Sequence, residues 1–433
     1  MKVLMFGWEF PPHITGGLGT ASYGLTKGLV KHDLEIIFVV PKAYGDEDQR
    51  AVRLVNGSDI PVNYKNLEIM EFWNKLTYLE IGSNIMPYID PVEFQKLHED
   101  EGKTVKEKEH IILGEKYKFT GKYGKNLMEE VARYALVGAS IAQKYDFDII
   151  HAHDWLTYSA GIAAQQISGK PLVVHMHATE IDRSGEGRIN TEVFNLEQQG
   201  MKQADLVIPV SNLTRNTVIT KYGIDPAKVV TVHNAIEPVE QLGLKVNKVV
   251  KEKVVTFLGR LTFQKGPEYF VEAAKKILEK DNNVRFVMAG NGDMMNALIR
   301  RVAELKIADK FHFTGFLKGD EVDKMFLLSD VFVMPSVSEP FGLVPLEAMR
   351  SNVPVVISKQ SGVAEVLKHA FKVDFWDVDS MADSIYGLLH YKSLANTFIK
   401  KGKEEVENLK WEHAAKKIKE LYIKVCDETS TNK

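Results

Sequence analysis

Two doubly wound α/β domains in series are what this sequence predicts, on three observations. Short β-branched apolar runs alternate with helical patterns along most of the chain. The runs fall into two series of at least five. A polar, Lys-rich stretch separates the series. Continuous apolar strands alternating with helices indicate parallel sheets covered on both faces. Length agrees, because 433 residues exceed what one ordinary core holds.

The first series is Lys2–Phe6, Glu35–Val40, Phe147–Ala152, Pro171–Met176 and Leu206–Val210. The second is Val254–Leu258, Val284–Ala289, Phe311–Thr314, Val331–Met334 and Val353–Ser358. Between them, Val229–Asn234 reads as a strand leading to a turn, and Leu242–Lys253 as the polar join. The boundary is expected near Asn234–Lys251. Domains are set at 1–241 and 242–410, with a C-terminal helix at about 411–428 packing back on the first. Residues 44–130 are the least regular part, with charge-dense pieces such as His98–Glu109, and are expected to form an insertion containing some helix. Glu129–Lys144 restores a helical period through Val131, Tyr134, Ala135 and Ile141. Trp411–Cys426 alternates as an amphipathic helix, and Thr429–Lys433 should fray.

Composition narrows the classes. Hydrophobic content of 45% and charged content of 26% describe a soluble globular protein. A net charge of -3 gives no electrostatic case for nucleic acid or anionic membrane. The single cysteine, Cys426, excludes an internal disulfide, fits a reducing compartment and lies in an amphipathic segment as a packing residue. The apolar start breaks at Trp8-Glu9-Phe10-Pro11-Pro12, so it reads as a buried strand rather than a signal peptide. No window approaches the roughly 18 apolar residues of a membrane span. A cytoplasmic location is expected.

In open α/β sheets, ligands bind beyond the carboxyl ends of strands, and the informative residues sit there. After the first strand come Gly16-Gly17-Leu18-Gly19 and a helical run from Thr20. Glycines admit a ligand to the backbone, and a helix start favours negative charge. The spacing is not Gly-x-Gly-x-x-Gly and no acid ends strand two, so dinucleotide binding is poorly supported; a plain tight turn is the bland reading. His151-Ala152-His153-Asp154-Trp155 and His175-Met176-His177 follow at two further strand ends. Two His-x-His pairs offer metal-ligand spacing, which would point to a metal-dependent hydrolase. Both pairs begin inside apolar strands, where the first histidine is equally a hydrogen-bonded core residue. The reading preferred here places Asp154 and His177 at the rim of a cleft, against a hydroxyl-rich ligand. Asp146-Phe147-Asp148 and Asp377-Val378-Asp379 have the Asp-x-Asp form of some metal sites but read as solvated turns.

The second series opens with Gly259-Arg260-Leu261-Thr262-Phe263-Gln264-Lys265-Gly266. Two cations in one exit loop make a diphosphate clamp, with charge-assisted bonds of roughly 1.5–3 kcal/mol each; a solvated basic turn is the alternative. Ala289–Asp293 and Phe313–Phe316 also end strands in small residues that let a nucleotide approach. Ser338-Glu339-Pro340-Phe341-Gly342-Leu343-Val344-Pro345-Leu346-Glu347 is the most informative stretch. It sets an exposed loop carboxylate, Glu339, before a Gly turn and a second, Glu347, in the helical segment that follows. The turn between them is a seat for phosphate.

Together these residues resemble the retaining glycosyltransferases of the GT-B type, near glycosyltransferase family 4 and the bacterial glycogen and starch synthases. The likeness covers nearly the whole chain outside residues 44–130. It implies two Rossmann-like domains facing each other across a cleft, an N-terminal acceptor domain and a C-terminal donor domain. It implies that Glu339 contacts the donor sugar, Glu347 the ribose, and the backbone at Gly342 and Leu343 the distal phosphate. Arg260 and Lys265 match the basic pair at the diphosphate, and Gly16 and Gly17 the glycine loop near the phosphates. His177 matches a sugar-contacting histidine, with His175 as its competitor, and Asp154 the acid of a His-Asp-Trp motif. One departure is Ile14, where the synthases usually carry Lys two positions before Gly-Gly. That draws the chain towards family 4, while Gly7–Pro12 and His-Asp-Trp draw it towards α-glucan synthases.

The implied reaction moves a hexose from ADP-glucose or UDP-glucose to a glycan, without a metal or other cofactor. The leaving phosphate accepts the acceptor's proton on the same face, and domain closure brings Asp154 and His177 onto the sugar. The alternatives are a family 4 enzyme acting on another glycan or a lipid-linked acceptor, and a sugar-nucleotide epimerase or hydrolase.

Overall fold

The computed structural model describes residues 1–14, 16–49, 52–62, 116–124, 126–185, 187, 189–237 and 250–431. Most of the expected insertion, with His98–Glu109, lies outside the described residues, as do Thr15 and most of the Lys-rich join. The chain divides into two compact units. One takes the chain up to Ala235 and takes it back from Trp411, and the other is Ile236–Lys410.

In the first unit the order is β1 (Lys2–Phe6), α1 (Gly17–Val30), β2 (Glu35–Val40), β3 (Arg53–Asn56), α2 (Leu127–Lys144), β4 (Ile149–His153), α3 (Trp155–Ser168), β5 (Leu172–Met176), α4 (Glu180–Ser184), α5 (Thr191–Gln203), β6 (Leu206–Pro209) and α6 (Asn212–Thr220). The second unit runs β7 (Lys253–Leu258), α7 (Pro267–Leu278), β8 (Val284–Ala289), α8 (Met295–Glu304), β9 (Phe311–Gly315), α9 (Asp320–Leu328), β10 (Val331–Met334), α10 (Val344–Arg350), β11 (Val355–Ser358), β12 (Phe371–Val373), α11 (Val378–His390) and α12 (Lys392–Asn408). The last helix, α13 (Trp411–Thr431), belongs to the first unit.

The strand orders are β3-β2-β1-β4-β5-β6 and β12-β11-β10-β7-β8-β9, and every ladder is parallel. Read from β9, the second order repeats the first. In each sheet the first strand therefore lies between the second and the fourth, so the winding direction reverses beside it. Such a reversal opens a crevice at the strands' carboxyl ends. The apolar runs that define the strands are buried on both faces and form one core per unit.

Several expectations are corrected. Each sheet has six strands, in keeping with the expected minimum of five, but the edges β3 and β12 lie outside the two series read from the sequence. The region expected as an insertion supplies β3, and its far end places Tyr117, Phe119 and Tyr123 in the first core. Val229–Asn234 is not a strand. It makes one bridge, Val207 to Val229, and donates from Val230 and Val232 to β6. Helix α1 starts at Gly17 rather than Thr20, and α13 continues to Thr431, across positions expected to fray.

Helix α13 docks on α1 through a groove. A Cβ at Gly24 would stand 2.2 Å from the Trp411 indole nitrogen, so only glycine lets the helices meet there. Trp411, Ala415, Ile418 and Tyr422 are the buried stripe of α13, at helical spacing.

Candidate functional site

In the second unit, β7 leaves the sheet into a loop pinned to its neighbour. Gly259 N–H donates to Ala289 O at 3.0 Å, and Leu261 N–H to Asn291 O at 2.8 Å. One turn of tight helix, Phe263–Lys265, then aims Lys265 at the loop that follows β10. There Lys265 Nζ donates to Glu339 Oε2 at 2.5 Å, and Ser336 Oγ donates to the same oxygen at 3.3 Å. Val337 N–H donates to Gln264 O at 2.9 Å, so backbone and side chains both join the two exit loops. Arg260 Nη2 reaches Gln264 Oε1 at 3.3 Å.

Glu339 is thus not an exposed loop carboxylate: the residue is 8% exposed and its carboxylate already holds a cation. Its main chain is strapped on the other side, where Glu339 N–H donates to Gln360 O and Gly362 N–H to Glu339 O, both at 2.9 Å. A Lys ammonium has three donors, and this pair uses one of them. Two residues on, Gly342 adopts φ +99, a backbone that L side chains rarely take, and the chain turns there into α10. Among the described residues nothing accepts from the Gly342 or Leu343 N–H. Glu347 sits in the first turn of α10, where burial pushes its carboxyl upward and Arg350 opposes the shift. The sequence-predicted Arg260, Lys265, Glu339, Gly342, Leu343 and Glu347 all belong to this unit, and Lys265 and Glu339 touch.

The first unit places its residues at the matching strand ends. Gly16 precedes α1 in extended backbone, and a Cβ there would meet nothing within 4 Å. Among the described residues no atom near that position demands glycine. Asp154 ends β4 at φ +59 and ψ 169, a conformation that costs a non-Gly residue about 1–3 kcal/mol. It is not at a rim, being 1% exposed. Its Oδ1 accepts from the backbone N–H of His177 at 2.7 Å and of Ala178 at 3.4 Å, so it positions the loop that leaves β5. Its Oδ2 is buried without a partner. Burial raises the Asp154 carboxyl to about 7, against the nearby Arg183 charge and the two backbone bonds.

Of the two competing histidines, His175 is buried against His151, with His151 Nε2 to His175 Nδ1 at 3.2 Å, whereas His177 is partly exposed. His177 Nε2 lies 2.9 Å from His153 Nδ1, and burial pulls its imidazole down to about 3, so the ring is neutral.

One supporting network escaped the sequence reading. Arg183 is buried between Glu180 and Glu197 and donates to Ala178 O at 2.9 Å, while Tyr222 donates to Glu197. It braces the loop carrying His177. The signal was available in Thr179-x-x-Asp182, which forms a capping box at the start of α4.

With this geometry in place, the likenesses are specific. Residues 104–240 match the family model for glycosyltransferase family 4, and residues 241–405 that for glycosyl transferases group 1. MJ1607, an uncharacterized glycosyltransferase of Methanocaldococcus jannaschii, is 30% identical over 443 residues, covering 98% of both chains. The chain belongs to the glycosyltransferases. The transferase is also 24% identical over 372 residues to a glycogen synthase of Mycobacterium tuberculosis, across 85% of this chain and 80% of the relative. It is 28% identical over 303 residues to an Escherichia coli UDP-Gal:alpha-D-GlcNAc-diphosphoundecaprenol alpha-1,3-galactosyltransferase, across 65% and 77%. Two solved structures share the transferase's fold, which is of the GT-B type. Sucrose-phosphate synthase from Thermosynechococcus elongatus gives a TM-score of 0.67 at 18% identity, covering 98% of each chain. Anabaena HepE in complex with UDP-glucose gives 0.63 at 17% identity, covering 97% and 99%. No helix among the transferase's described residues is long and apolar enough to cross a membrane.

Proposed function

We propose that this transferase moves a hexose, glucose in the first instance, from a nucleoside diphosphate sugar to a growing α-glucan with retention at the anomeric carbon. The observation that carries the reading is the Lys265–Glu339 pair, which joins the exit loops of β7 and β10 at the crevice of the second sheet. A donor has a diphosphate for the cation and sugar hydroxyls for the carboxylate. Lys265 and Arg260 stabilise the charge that grows on the leaving phosphate, together with the backbone N–H groups of Gly342 and Leu343. Glu347 takes the ribose hydroxyls. In the first unit, Gly16 and Gly17 are the backbone offered to phosphate, His177 is the polar group offered to hydroxyls, and Asp154 holds the loop that carries it.

The bond from C1 to the diphosphate oxygen breaks and a bond from C1 to the acceptor oxygen forms. The acceptor's proton passes to the leaving phosphate, so no protein base and no metal are required. ADP-glucose and UDP-glucose are the donors to test first.

A second acceptor class, lipid-linked glycan, is favoured by Ile14, which removes one phosphate cation of the glycogen synthases, and by the likeness to a diphosphoundecaprenol-dependent enzyme. The experiment is to incubate the purified chain with each donor, with and without glycogen or a lipid-linked glycan, and to follow free nucleoside diphosphate. Release only with glycogen supports α-glucan synthesis, and release only with the lipid-linked glycan supports the second reading. Release without any acceptor, or epimerised donor, defeats both.

A further inference from the structure

Strands β4 and β5 bring four histidines into one array that the transfer chemistry does not use as a whole. His151 and His153 alternate on one face of β4, His175 and His177 follow the same alternation on β5, and His153 pairs in register with His175. Ring centroids lie 4.5 Å apart for His151 and His153 and 4.4 Å apart for His175 and His177. We propose that His151, His153 and His175 form a binding site for a divalent transition-metal ion of the zinc class.

Four observations carry it. One ring nitrogen from each of the three lies within 4.8 Å of the others. The 3.2 Å between His151 Nε2 and His175 Nδ1 is close to the ligand–ligand edge, about 3.3 Å, that follows from tetrahedral bonds of roughly 2.0–2.1 Å. His153 Nε2 is buried without a hydrogen-bond partner. A neutral imidazole has one donor and one acceptor nitrogen, so when His153 Nδ1 donates to His177 Nε2 the lone pair lies on His153 Nε2. Finally, the hydroxyl of Tyr422 on α13 meets His151 Nδ1. A hydrogen bond at the second ring nitrogen fixes the tautomer and ring orientation of a ligating histidine, and here a hydroxyl supplies it.

An all-imidazole set suits zinc, copper or nickel rather than calcium or magnesium. The ion holds β4, β5 and, through Tyr422, α13. It stands apart from the donor reading, and its test reads metal content and melting rather than turnover.

The full-length chain is stripped with a strong chelator, dialysed and titrated with Co²⁺, then with Zn²⁺. One Co²⁺ per chain with the ligand-field absorption of a tetrahedral nitrogen site, a raised Tm and displacement by Zn²⁺ are expected, with no response to Mg²⁺ or Ca²⁺. His151→Phe should lose the spectrum and the Tm rise. Tyr422→Phe, which leaves every ligand in place, should keep the stoichiometry and weaken binding about 10–100-fold. Absence of stoichiometric binding, or a Co²⁺ spectrum unchanged in both variants, overturns the site.

Discussion

At the crevice beside β1 the first unit places Gly16, Gly17 and Asp154, and at the topologically equivalent crevice beside β7 the second places Arg260, Lys265 and Glu339. The strand order is the same and the chemistry is opposite. The first crevice is lined by buried, neutral or unpartnered groups: a strained Asp154, neutral histidines and a bare glycine backbone. The second carries an ion pair in which Glu339 is buried and Lys265 is partly exposed. An anion-handling site needs charge that stays close to water until its ligand arrives. A site that shapes a loop can bury its polar atoms and hold them with main-chain bonds. The topology fixes where a site forms, and the side chains decide which kind it is.

The largest effect expected from this contrast is at Lys265. Lys265→Ala should cut turnover by about 10²–10³-fold with circular dichroism unchanged, because a preorganised charge is lost at the leaving group. Turnover close to that of the parent enzyme would remove the distinction between the crevices. Next is the pH response of the first unit. Burial raises Glu197 from an ordinary 4.5 to about 7, so between those values the unfolded chain binds fewer protons than the folded one. Stability tied to this group is therefore present below pH 4.5 and is lost as pH rises to about 7, an amount on the order of 3 kcal/mol at 1.36 kcal/mol per unit. Glu197→Gln should flatten that slope in chemical denaturation at pH 4.5 and 7. An unchanged slope means the buried network does not titrate.

A smaller effect is expected at Glu347. Glu347→Gln should raise the donor KM about 10-fold, the equivalent of one charged hydrogen bond, with kcat within a factor of two or so. An equal fall in kcat would move Glu347 from ribose binding to the reacting centre. The smallest is at the α1–α13 contact. Gly24→Ala should lower Tm by roughly 2–4 °C, since overpacking against Trp411 outweighs the gain of about 1 kcal/mol in helix propensity. A rise in Tm would show that the helices separate without cost.

What was legible in the sequence follows from range. Strands β1, β2, β8 and β10 match the expected limits to the residue, because each is an apolar run closed by polar or turn residues. Edges β3 and β12 were missed: Arg53–Asn56 and Phe371–Val373 each bury a single residue, so no run announces them. Val229–Asn234 misled for the opposite reason, its β-branched run meeting β6 at only one bridge. The motif residues were found because loops after strands carry them, but their partners were not. Lys265 and Glu339 stand 74 positions apart, and His151 and Tyr422 271. Only strand order and the return of α13 bring them together. Asp154 was misplaced because sequence shows that an acid follows a strand, and not which way its carboxylate turns.

The return of α13 also sets an order of assembly during synthesis. The ribosome releases β1 to β6 first, yet the helix that meets His151 and fills the groove at Gly24 is made only after all of the second unit. Chains fold as domains while they emerge. Trp411 and Tyr422 therefore reach the groove at Gly24 and the ring of His151 only after the second unit has been made. The link is compact at the point of exit and return, since Ile236 N–H bonds Leu409 O at 3.1 Å and Ile236 bridges Lys410. A chain interrupted before α13 would leave the groove at Gly24 and the ring of His151 without that helix.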